Sequence, residues 1–135
     1  MARVSVEVPA RLMEVVRETA LLLYQATAES LHQALRARTT GAAEVSEAHA
    51  HRVRLDELDD LVGHLSGQPR DVELSAERDL LHDTLYGALI DAGERLAEAS
   101  NRCWRGELPL ERIQEAAEEV LALDALLREL DSVSP

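Results

Sequence analysis

Two stretches, Pro9–Arg38 and Ser75–Arg105, repeat apolar residues at helical spacing for about thirty residues each, enough for rods of about 45 Å. Each is followed by a glycine, Gly41 or Gly106, and then by a shorter, acidic helical stretch ending in leucines. Such a layout leaves little room for a sheet. It predicts an all-α, up-down-up-down four-helix bundle in a single domain spanning residues 1–135, with helices near 9–38, 43–65, 75–105 and 109–131.

The first helix is expected to open at Pro9, whose missing N–H costs nothing in a first turn. Leu12, Val15, Val16, Leu22, Leu23, Ala26, Leu31 and Leu35 then mark its apolar face. Val4, Val6 and Val8 alternate with polar residues before it, a short strand or extended lead-in that caps the bundle. The second helix carries a candidate break at residues 52–56, ahead of Asp56. Ser66-Gly67-Gln68-Pro69 is a loop, and Ser75 is expected to cap the third helix. In the last helix, Ile113, Ala116, Val120, Leu123, Leu127 and Leu130 alternate spacings of three and four, a bundle seam. Ser132–Pro135 is expected to fray.

An internal echo suggests duplication of a helical hairpin. Val6-Glu7-Val8-Pro9-Ala10 resembles Val72-Glu73-Leu74-Ser75-Ala76, and Gly41, Leu58, Asp59 and Leu65 resemble Gly106, Leu123, Asp124 and Leu130. Ala/Leu/Glu-rich helices also match one another by chance.

Charge narrows the partners. The net charge is −12, and residues 42–135 hold 22 acids against nine arginines. That field repels phosphate backbones and anionic lipid and favours basic partners. All 14 basic residues are arginine, with much Ala, Leu and Val besides, the make-up of a GC-rich genome such as that of an actinobacterium. The lone Cys103 forms no internal disulfide and fits a reducing compartment. No signal-like or membrane-spanning run is present, so a soluble cytoplasmic protein is expected.

Candidate chemistry is sparse. Glu29-Ser-Leu-His32 and Asp79-Leu-Leu-His82 each place a carboxylate and an imidazole on one helix face, as carboxylate-bridged di-metal bundles do. They are the candidate ligands for a transition metal, the one cofactor the sequence raises. Glu47, Asp59, Asp60, Glu115, Glu118 and Glu119 are the bridging acids on offer. The abundance of acid alone yields about one such pair by chance. His49 and His51 read as a solvated or interfacial pair, and His64 as an ordinary helix partner of Asp60.

Arg102-Cys-Trp-Arg105 sets the only tryptophan between two arginines at a helix end. Those residue types are enriched at binding hot spots, so Trp104, Arg102 and Arg105 are candidate partner contacts. The competing reading makes Trp104 a plug for the end of the bundle. Glycine-rich phosphate loops, serine nucleophile elbows and CxxC pairs are all absent, and the expectation leans away from an enzyme.

Two local resemblances remain. Arg3-Val-Ser-Val-Glu-Val-Pro-Ala-Arg-Leu-Met-Glu resembles the strand and first helix of ribbon-helix-helix DNA-binding proteins, and Thr27–Leu35 falls where their second helix would begin. It implies a DNA-binding regulator with Arg3, Ser5 and Glu7 facing the major groove. Leu21–Gln25 replaces the family's glycine-containing turn, and Glu7 carries the wrong sign for DNA. Arg78-Asp-Leu-Leu-His82, with Tyr86 a turn on, looks like the Arg/His motif of HEPN-type ribonucleases, one residue short in spacing. It implies attack on an RNA phosphodiester. Against both stands the bland reading: a non-enzymatic interaction or accessory protein. Leu21, Leu22 and Leu23 with Tyr24, and Leu121 with Leu126, make apolar bands too wide for one helix face, which predicts a homodimer.

Overall fold

The computed structural model describes residues 3–39 and 45–132. Gly41, the glycine expected to follow the first helix, and the tail after Ser132 lie outside the described residues. The order of elements is β1 (Arg3–Val8), a single 3₁₀ turn (Ala10–Leu12), α1 (Met13–Thr39), α2 (Val45–His64), β2 (Val72–Glu77), α3 (Arg78–Trp104) and α4 (Leu110–Ser132). The protein is all-α in its bulk, with four helices, and the structure adds a two-stranded antiparallel ribbon.

The ribbon corrects one expectation. Ser75 does not cap a helix; it lies inside β2, opposite Ser5. Val72, Leu74 and Ala76 alternate inward and pair in register with Val8, Val6 and Val4. The cap falls instead to Glu77, whose carboxylate accepts the Leu80 N–H at 3.2 Å. Pro9 likewise precedes a 3₁₀ turn rather than α1 itself. No break occurs at residues 52–56, which lie within α2.

Gly106 ends α3 as expected. Its φ of 77° is left-handed, and the Glu107 N–H reaches back to the Arg102 carbonyl at 2.8 Å. The loop after α2 is stitched by Arg70, which donates to the carbonyls of Ser66 (2.7 Å) and His64 (3.0 Å). Asp71 then accepts the Ala10 N–H at 2.8 Å, tying the loop to the first strand's exit.

The chain is two β–α–α units. Buried positions on the helices repeat at an offset of 65: Val15 with Leu80, Val16 with Leu81, Thr19 with Thr84, Leu58 with Leu123, Leu61 with Leu126 and Leu65 with Leu130. The strands keep the same facing, Val6 and Val8 matching Val72 and Leu74 at an offset of 66, while the first unit has four residues between strand and helix, including its 3₁₀ turn, and the second has none.

The units are interlocked. α2 packs on β2, and α4 packs on β1, so each second helix covers the other unit's strand. α1 packs against α3, and each helix against its hairpin partner. One apolar cluster joins the ribbon's inner face, the first halves of α1 and α3 and the last halves of α2 and α4. Beyond it the hairpins thin out. Among the described side chains, the outer half of α1 buries only Thr27 and Ala34, the outer half of α2 only Ala48, and those of α3 and α4 none after Ala92 and before Leu123. No helix among the described residues is long and apolar enough to cross a membrane.

Candidate interaction site

The two acid/histidine pairs do not come together. Asp79 and His82 occupy the first turns of α3, whereas Glu29 and His32 lie about 24 Å along α1. Among the described residues no group of three or more His, Cys, Asp or Glu side chains could hold a metal ion.

The ribbon's outer face carries Arg3, Ser5 and Glu7 from β1 and Glu73, Ser75 and Glu77 from β2. One arginine thus faces three glutamates. Arg3 is itself engaged, with Glu57 Oε1 at 2.8 Å and the Ser75 carbonyl at 3.1 Å. That face opposes a phosphate backbone, and α1 runs unbroken through Leu21–Gln25.

Arg78 is drawn to α4, where its Nη2 pairs with Asp131 at 3.5 Å. His82 stacks instead on Tyr86, ring centroids 5.9 Å apart and ring planes nearly parallel. Arg54 of α2 holds the neighbouring Asp83 at 2.9 Å.

Trp104 is no plug. It stands 92% exposed at the end of α3, the most exposed large apolar side chain described. The outer end of α3 buries no side chain after Ala92, so Trp104 has no core there to plug. Arg105 doubles onto Glu107 (3.1 and 3.0 Å), and Arg102 approaches the same carboxylate at 4.0 Å. Leu110, at the start of α4, is also exposed.

Just behind that tip a groove of about 440 Å³ runs between α3 and α4. Ala92, Ala99, Ala116 and Leu108 give it apolar surface, and Arg95, Arg102, Arg112, Glu115 and Glu119 give it charge. Arg95 pairs with Glu119 and with Asp91, and Arg112 with Glu115 at 3.8 Å. Arg95 and Arg112 were not among the sequence candidates; the seven-residue step from Arg95 to Arg102, one face of a helix, was the available signal. A second groove, of about 420 Å³, lies between α1 and α2 beside Leu31, Leu35, His49 and Arg52.

Further exposed apolar side chains lie on α1 and α3, the two helices that pack against each other. Leu22 is 65% exposed, Tyr86 50%, Ile90 49% and Leu21 42%. Leu22 sits one turn beyond Thr19, the residue nearest Gly87, and Ile90 one turn beyond Gly87. Leu23 and Tyr24, by contrast, pack against the core, and Leu126 is buried while Leu121 is exposed.

Compared with known proteins, the chain matches no family model, no curated protein and no solved structure. What fold and surface define is a pair of helical hairpins joined by a ribbon, with exposed apolar side chains on all four helices. Its role is read from those residues.

Proposed function

We propose that this is a non-enzymatic interaction protein that works as a homo-oligomer, two copies meeting through the α1–α3 face. The observation that carries the reading is the exposure of Leu21, Leu22, Tyr86 and Ile90 beside the α1–α3 contact. In a twofold dimer the same patch on each copy would cover the other, and Leu21 and Tyr86, equivalents in the two units, would both lie within it. Four large apolar side chains on one surface are worth burying, each recovering about 1–2 kcal/mol. Polar groups do not converge in either groove as a nucleophile, a base and an oxyanion pocket would.

Light scattering during size exclusion tests it. The 14.9 kDa chain should elute at dimer mass, and Leu22→Glu with Ile90→Glu should return it to monomer mass with its helix content unchanged. A wild-type chain that stays monomeric at high micromolar concentration overturns the reading.

A further inference from the structure

Neither unit, β1–α1–α2 or β2–α3–α4, closes a core of its own. Each strand pairs with the other unit's strand and lies against the other unit's second helix, and one apolar cluster runs through both. The pairing is also selective. With the strands matched at an offset of 66, the same register would set β1 against a second β1 at three positions, Val6, Glu7 and Val8, whereas it meets β2 at six. The first unit is thus shaped to receive the second. Residues 66–71, all exposed, join the two. Arg70 donates to the Ser66 and His64 carbonyls and Asp71 accepts the Ala10 N–H, exposed hydrogen bonds that hold the connection folded back. Extended, six residues span about 20 Å.

We propose that the surface on which the two units meet also takes a second copy of this chain, the first unit of each copy closing on the second unit of the other. The exchanged dimer repeats every contact of the closed chain, because the incoming unit has the sequence of the one it replaces, and only residues 66–71 change course. A chain's own second unit competes at an effective concentration of about a millimolar, set by the short connection, so a second copy competes evenly at comparable protein concentration. Return requires the shared core to open, so the form made on folding is kept. Leu22 and Ile90 lie outside that core, which makes exchange separable from association through the α1–α3 face.

Ser5 and Ser75 are exposed and directly opposite in the ribbon, at a spacing a disulfide can bridge. The full chain carrying Ser5→Cys, Ser75→Cys and Cys103→Ser is unfolded with reductant, refolded at low micromolar or at about millimolar concentration, diluted, oxidised and run on a denaturing gel without reductant. In the closed form the bridge lies within one chain, and in the exchanged form it joins two. Dilute refolding should give single chains, and concentrated refolding about half of the protein as covalent pairs. The pairs should persist when Leu22→Glu/Ile90→Glu is added. The Leu22→Glu/Ile90→Glu chain without cysteine changes gives a second measure: dimer mass that survives dilution after concentrated refolding, and monomer mass after dilute refolding. Bridges confined to single chains at both concentrations overturn the proposal. So do covalent pairs from the chain with Ser5→Cys and Cys103→Ser alone, which would mean that ribbons touch without exchanging, and so does loss of the pairs with Leu22→Glu/Ile90→Glu.

Discussion

Thr19 and Thr84 occupy equivalent places in the two units, and each turns its hydroxyl back on its own helix. Thr19 Oγ1 donates to the Val15 carbonyl at 3.1 Å, and Thr84 Oγ1 to the Leu80 carbonyl at 2.8 Å. Both side chains are buried, so the back-bond satisfies a hydroxyl that water cannot reach. It also holds the Thr19 methyl towards α3, where Gly87 makes room for it. A Cβ on Gly87 would lie only 2.7 Å from Thr19 Cγ2.

Gly87→Ala should therefore destabilise the protein by about 1–3 kcal/mol, because Thr19 can yield only by giving up its hydrogen bond. Gly93, six residues on in the same helix, has nothing within 4 Å of its added methyl. Gly93→Ala should stabilise by about 0.4–1 kcal/mol. Urea titrations of the two variants check the opposite signs.

Leu58 and Leu123 are equivalents, both fully buried, each on a helix that covers the other unit's strand. Leu58→Ala and Leu123→Ala should each cost about 2–5 kcal/mol. Thermal melts of both variants should show a single cooperative transition at lower temperature, since the two residues belong to the same core. A variant that melted in two steps would show the units to be independent.

Two copies of net charge −12 repel each other, while the α1–α3 face that would join them is apolar. Added salt screens the repulsion and leaves the apolar gain intact. Dimer dissociation measured by dilution should become tighter as salt rises from low to physiological strength. Loosening with salt would mean that ion pairs hold the copies together.

The outer halves of the hairpins bury few side chains, and their stability should be correspondingly local. Amide exchange should be fastest around Gln33, Ala97 and Glu118 and slowest at Val6, Leu74, Leu85 and Leu123. Uniform protection along α3 would contradict that gradient.

The helices were legible because spacing is local: Leu12, Val15 and Val16 mark one face whatever they meet, although Leu22 and Leu35, read onto the same face, are exposed. Gly106 was legible for the same reason, as a cap is chosen by its own φ. β2 was hidden because its signal is three alternating residues, Val72, Leu74 and Ala76, and Ser75 among them is an equally good helix cap. Only pairing with β1, far away in sequence, decides between the two. The candidate metal pairs show the same limit. Each is a correct one-helix geometry, but α1 and α3 pack through their first halves, with Thr19 beside Gly87, and His32 lies far beyond that level on α1. Trp104 as a plug assumed that α3 ends inside a bundle, and nothing local records that its outer half has left the core.

The interlocking of strands and second helices sets the order in which the molecule can be made. A ribosome releases Val4, Val6 and Val8 well before Val72–Glu77 and about a hundred residues before the α4 that covers them, so the earliest stretch of chain is completed by the latest. Until then the nascent product has a helical hairpin and an open strand. Closure is a single late event rather than a progressive one.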